Sequence, residues 1–274
     1  MLVKWPDQTL LSGVARAGGG ALVFAIPMLM TLEMWSLGAY AQPLRLALLL
    51  LTPFLLIGLA HYVGFRESSR FADHLADALV AVGVATLIAA ALLAVFGLLA
   101  PGMAAREIVG RIAMQIVPGS IGAMLSRSQL GNQPEGAERR RITHPTYKGE
   151  LFLMCVGALF LSLSVAPTDE VLHIAHMMGP AQGVLLLVLS LCVMHGFVYF
   201  VEFRGPVRVE PGSTLLGLFL RFTVVGYVIV LAVSLFLLWV FGRVDGLAPS
   251  ELIAAVVVLS LPGAVGAAAA RLLL

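Results

Sequence analysis

Four glutamates carry most of the chemistry this sequence can offer. Glu33 closes "TLE" (31–33) and Glu170 closes "TDE" (168–170), each at the far end of an apolar run, while Glu107 and Glu251 each open another such run. Carboxylates set into apolar segments are costly in lipid and mark ion or substrate routes by default. Here they form two pairs in the same order along the chain, with Asp169 as a fifth acid and Thr31 and Thr168 as further oxygen donors. Acidic rings select cations, and oxygen ligands suit hard ones. These seven residues are therefore the candidate ion-binding set, for calcium, sodium, potassium or a proton. The competing reading is ordinary interfacial charge. Glu107 and Glu251 fall in expected first turns, where a carboxylate is favoured. Glu33 and Glu170 are expected at helix C-termini, where a carboxylate is disfavoured and needs compensation.

A second constellation is repeated outright. "IVPGSIGAMLSR" (116–127) and "SLPGAVGAAAAR" (260–271) both read Pro-Gly-x-x-Gly-Ala-x-x-x-Arg, 144 residues apart. Proline removes a helical N–H, and glycines at i and i+3 let helices approach closely. Two uses are open. The two Pro-Gly helices cross and touch each other at a pseudo-axis, or they are broken there and offer carbonyls and dipole ends to an ion. On the second reading Pro118, Gly119, Pro262 and Gly263 line a path. Asp77 and Arg221 occupy similar places in two other apolar runs and would pair as a gate, or else lie at the interface with Arg221 snorkelling to water. His61 and His195 would relay protons or pack as hydrogen-bonded residues, and Gln115 and Ser120 are polar lining candidates. "DEVLHIAH" (169–176) places Glu170, His173 and His176 where a helix would present them to a transition metal.

The elements that hold these residues must be membrane helices. The 274 residues are 60% hydrophobic and 12% charged, with mean hydropathy +0.99; soluble domains run about 45–50% apolar and about 25% charged. A net charge of +2 gives no field for nucleic acid. A spanning helix needs about 20 apolar residues, and eight runs qualify: 17–38, 44–64, 75–99, 107–126, 149–166, 180–201, 214–241 and 251–271. The fourth holds Arg111, Gln115 and the Pro118-Gly119 step, so a re-entrant form is open for it. With the N-terminus inside, twelve of the 17 Lys and Arg residues fall on cytoplasmic segments and four (Arg45, Arg106, Arg111, Arg243) outside; by the positive-inside rule both termini are cytoplasmic. Cys155 and Cys192 sit in apolar runs as small packing residues. No cleavable signal peptide, zinc pattern, HExxH, GxSxG elbow or P-loop is present, and no cofactor is implied.

The matches extend through both halves in one order. "LLAVFG" (92–97) answers "LLWVFG" (237–242), "GFR" (64–66) answers "EFR" (202–204), and Pro43 and Pro180 each open the following helix. The expected architecture is an all-α polytopic bundle of two parallel four-helix repeats related by an axis along the membrane normal. Residues 1–130 are the first repeat, 131–148 a basic cytoplasmic linker and 149–274 the second repeat.

At "FAIPMLMTLEMW" (24–35), "IAMQIVPGSIGAML" (112–125), "APTDE" (166–170) and "LSLPGAVGAAAARL" (259–272) the chain resembles a bacterial family of integral membrane proteins carrying a domain of unknown function. The resemblance covers nearly the whole chain. It implies the membrane class and supplies no substrate, cofactor or reaction.

The expectation is a multi-pass protein of the bacterial inner membrane, embedded in the lipid bilayer and open to homo-oligomer formation. It conducts or transports a small cation through an outer carboxylate site. The alternatives are a non-transporting scaffold or sensor that uses the basic loop 127–148 to bind anionic lipid or a partner, and an intramembrane enzyme with a metal at Glu170, His173 and His176.

Overall fold

A computed structural model describes residues 8–63, 71–130, 147–202 and 215–273. The chain divides into two compact units, Met1–Asn132 and Gln133–Leu274. Among the described residues every regular element is helical. A backbone in hydrocarbon must pair its own N–H and C=O groups, and a helix does so within one segment.

In the first unit α1 (Gln8–Leu29) runs into α2 (Leu32–Tyr40) through a bend of 84°. The joint is Met30-Thr31: the Thr31 hydroxyl donates to Met28 O at 2.7 Å, closing the last turn of α1 instead of capping α2. Pro43 opens α3 (Pro43–Leu51) at its N1 position, where its missing N–H costs nothing. Thr52–Phe54 form a 3₁₀ turn before α4 (Leu55–Val63) continues the same span. α5 (Phe71–Val95) and α6 (Ala105–Leu130) complete the unit.

The second unit follows the same order. α7 (Tyr147–Val165) ends where Thr168 donates to Val165 O at 2.9 Å, and the short α8 (Glu170–Met177) follows. Pro180 opens α9 (Pro180–Glu202). α10 (Leu215–Leu218) passes through a π-helical stretch, Phe219–Val224, into α11 (Val225–Val240), and α12 (Pro249–Leu273) closes the chain. The loops before α6 and α12 begin alike. Gly97 and Gly242 take positive φ (71° and 74°), and Leu98 N and Arg243 N each reach back to a carbonyl five residues earlier, at 2.8 Å. This is a Schellman ending, which favours glycine because other residues resist the left-handed backbone.

Six stretches are long and apolar enough to span: Pro43–Ala60, Phe71–Val95, Ala105–Leu125, Tyr147–Val165, Phe219–Val240 and Pro249–Ala270. The bent α1–α2 pair makes a seventh, and Pro180–Gly196 of α9 is a shorter apolar stretch. The chain is thus a polytopic helical bundle. Of the eight expected spans, the first is bent at its Thr31 joint and the sixth falls short on apolar length. The fourth, Ala105–Leu125, is one continuous helix and needs no re-entrant turn.

The Pro-Gly helices are the centre of each unit, and neither is broken. α6 and α12 run straight through Pro118 and Pro262. The expected breaks at these prolines are corrected: each proline removes one hydrogen bond, a loss that packed neighbouring helices tolerate. The glycines pack within their own units. A Cβ on Gly119 would meet Ala85 at 3.1 Å and Ala25 at 3.9 Å, and one on Gly122 would collide with Phe24 at 2.6 Å. In the second unit, Gly263 faces Ser162 and Val230, and Gly266 meets the Gly157 carbonyl and Leu161. Each pair of glycines is spent on helices of its own unit. In lipid, where apolar burial drives little association, such close backbone contact is what holds helices together.

Candidate functional site

Glu33 and Glu170 do not stand at helix C-termini. Each lies in the first turn of a short helix that begins after a break, Glu33 in α2 and Glu170 in α8. The helix dipole there favours a carboxylate, so the compensation expected from elsewhere is supplied by the break itself. The apolar composition of "PMLMTLEMW" hid that joint.

In the first unit α2 crosses α6 at a contact so close that a Cβ on Gly38 would lie 2.7 Å from the backbone of Arg111. That crossing sets Trp35 beside Arg111, whose guanidinium lies 5.3 Å from the indole centroid. Trp35 is itself seated with Leu92, Leu98, Leu99 and Ile112 on the buried Ala25, Leu29 and Leu93. Arg111 donates to Leu98 O at 2.6 Å and pairs with Glu107 one turn earlier on the same helix. Glu107 is therefore neutralised within α6. Glu33 is half-buried, and among the described residues its carboxylate has no hydrogen-bond or ion-pair partner.

The second unit builds its acidic end from other residues. Arg243, in the loop before α12, pairs with Asp169 and donates to Pro167 O, tying that loop to the α7–α8 joint. His176 Nε2 lies 3.3 Å from Glu251 Oε1, and Glu251 Oε2 accepts from Ala248 N at 2.9 Å. Glu251 thus caps its own helix, which fits its first-turn position. Glu170 is exposed and, like Glu33, has no partner among the described residues. Of the five acids, the structure sets Glu107, Asp169 and Glu251 against Arg111, Arg243 and His176 of their own units, and among the described residues it leaves Glu33 and Glu170 without a partner. Thr31 and Thr168 spend their hydroxyls on the preceding helix. Among the described residues no three His, Cys, Asp or Glu side chains gather as a metal site, and His176 is turned to Glu251 and the Leu172 carbonyl. The Glu170–His173–His176 metal reading is set aside on that geometry.

The gate candidates belong to different units. Asp77 is buried in α5, 2% exposed. Arg221 is exposed in the π-helical stretch, its guanidinium 4.7 Å from the Tyr147 ring centroid, and the Tyr147 hydroxyl donates to Arg221 O at 2.8 Å. His195 Nδ1 lies 2.9 Å from the Thr223 hydroxyl on the same stretch. The π-helix carries no period that a sequence shows, and such segments recur at functional sites. The His61 side chain and the linker 131–146 lie outside the described residues. Ser120 donates to Val117 O at 3.0 Å, while Gln115 is fully buried in α6 with neither amide atom partnered among the described residues.

Residues 13–274 match the family model described as "Putative integral membrane protein (DUF2391)". The chain belongs to this family. No curated protein and no solved structure matches the chain. Membership supports a multi-pass location in a membrane and assigns no reaction, ligand or partner.

Proposed function

We propose that this membrane protein moves a small cation, with Glu33 and Glu170 as the attracting site at its outer face. The observation that carries this is their shared situation. Each follows a bent or broken helix, each opens a short helix, and each carboxylate is without a partner among the described residues, while Glu107 and Asp169 pair with arginines and Glu251 lies against His176. Broken helices with charged groups at the joint are how transporters offer an ion both charge and dipole ends. Acidic side chains at a membrane edge with no base beside them concentrate cations.

The reading includes a duplicated architecture, two parallel four-helix repeats, with both termini in the cytoplasm of a bacterial inner membrane. It is supported by contacts that recur at sequence-matched positions. Gly119 against Ala25 and Ala85 answers Gly263 against Ser162 and Val230, and Gly122 against Phe24 answers Gly266 against Leu161. The test is flux. Reconstituted in liposomes, the protein is expected to move at least one of sodium, potassium, calcium or protons faster than empty vesicles. Folded protein that moves none of them overturns the reading.

A further inference from the structure

Serines and threonines inside apolar helices ordinarily donate to a carbonyl of their own helix, because no water is there to serve them. Thr86, Ser120, Ser164, Ser190 and Ser260 do so, at 2.7–3.0 Å. Ser162 of α7 and Ser234 of α11 do not. Both are 0% exposed, and neither hydroxyl has a partner among the described residues. They converge on one place, with a Val230 methyl between the same helices: a Cβ built on Gly263 would lie 2.7 Å from Ser162 Oγ, 2.8 Å from Val230 Cγ1 and 3.7 Å from Ser234 Oγ. Gly263 follows Pro262, which has no N–H, so the Val258 carbonyl four residues earlier loses its helical partner in the same turn of α12.

The first unit is an internal control. The residues matched to Ser162 and Ser234 are Ala25 and Ala89, equally buried at 1% and 0%. Ala25 faces Gly119 as Ser162 faces Gly263. The packing therefore needs only alanine at these places, and the two hydroxyls of the second unit are additions with a desolvation cost. Groups of this kind call for a guest that oxygen can satisfy. The donors are neutral oxygens from two hydroxyls and a carbonyl, in an apolar surround. Hard cations take oxygen ligands, and with no carboxylate at the site a divalent charge would go uncompensated.

We infer that Ser162, Ser234 and the proline-freed Val258 carbonyl form a site for a monovalent cation of sodium size in the second unit. Gly263, with no side chain, is what lets the Ser162 hydroxyl lie this close to the α12 backbone. The inference rests on the cation reading above and deepens it by naming where the ion pauses. Roughly 14 residues of helix, about 21 Å at 1.5 Å each, separate Gly263 from the start of α12, so the site lies well inside the span.

The test uses the full-length protein in detergent. Thermal unfolding is followed in sodium, potassium and choline chloride at equal ionic strength, for the wild type and for Ser162→Ala/Ser234→Ala, which copies the first unit's alanines. The expected result is a sodium-dependent rise in Tm in the wild type, absent from the double variant, with both folding equally well in choline. No sodium-specific shift in the wild type, or an equal shift in the variant, overturns the site. The flux assay separates the two ideas. Ion movement retained with sodium stabilisation absent discards this site and keeps the transport reading. Sodium stabilisation lost in the double variant, with no flux by the wild type, discards transport and keeps the site.

Discussion

α6 and α12 are each the central helix of a unit, and each presents Pro-Gly-x-x-Gly to the same relative set of neighbours. Their polar residues differ. α6 carries Glu107, Arg111 and Gln115 at four-residue spacing, a stripe running inward from its first turn. The matched positions of α12 are Glu251, Ala255 and Leu259, and its polar groups lie deeper, in Ser260, bonded to Tyr227 at 2.8 Å, and in the hydroxyls beside Gly263. The backbone contacts are common to both units while the buried polar chemistry is not. Close packing tolerates little change at the glycines, because a carbonyl lies where a side chain would go. Positions beside them hold alanine or serine, and there the two units differ.

The comparison breaks first at the glycines. Gly266→Leu drives a side chain into the Gly157 carbonyl, and neither backbone can retreat. Overpacking costs about 1–3 kcal/mol and sometimes more; with backbone on both sides the upper end is expected. Gly122→Leu should do the same in the first unit. Gly83→Ala, which meets nothing within 4 Å, should leave stability unchanged. Monodisperse yield and Tm in detergent read all three. Equal tolerance of Gly266→Leu and Gly83→Ala would show that the contact does not hold the second unit together.

A smaller effect sharpens the contrast between the acidic ends. Arg111→Ala removes the Glu107 pair, the Leu98 carbonyl bond and the Trp35 stack together. Hydrogen bonds involving a charged group contribute about 1.5–3 kcal/mol each. Arg111 is 14% exposed and Glu107 31%, so solvent screening brings the expected loss to about 1–2 kcal/mol. The smallest effect is Glu251→Gln. Its pair with His176 is open to solvent, 52% and 40% exposed, and such pairs are worth under about 1 kcal/mol. A Tm shift for Glu251→Gln as large as that for Arg111→Ala would mean that the two ends are built alike after all.

Much of this fold was legible in the sequence because its signals were compositional or punctual. Apolar length gave the spans, Pro43 and Pro180 marked helix starts, and the glycines at i and i+3 pointed to close approach. Four features were not. The α1–α2 joint lies in a run apolar on both sides, so neither hydropathy nor periodicity marks it; only the hydroxyl of Thr31, turned back to Met28, does. Pro118 and Pro262 suggested breaks, but a bundle absorbs one missing N–H without ending a helix. The roles of the acids depended on those boundaries. Once the joints moved, Glu33 and Glu170 passed from helix ends to helix starts, and the partners of Glu107, Asp169 and Glu251 came from α6, the α11–α12 loop and α8. The unsatisfied hydroxyls of Ser162 and Ser234 carry no sequence signature beyond their difference from Ala25 and Ala89.

The most direct test of the cation reading is flux through Glu33→Gln, Glu170→Gln and the double variant, side by side with wild type in the same liposomes. Neither carboxylate has a partner among the described residues, so neutralising each should cost only its interaction with the helix dipole, about 0.3–1 kcal/mol, and lower Tm slightly. The account predicts that each single change slows cation movement and that the double change abolishes it. Wild-type flux undiminished in the folded double variant would contradict the assignment of these two carboxylates as the attracting site.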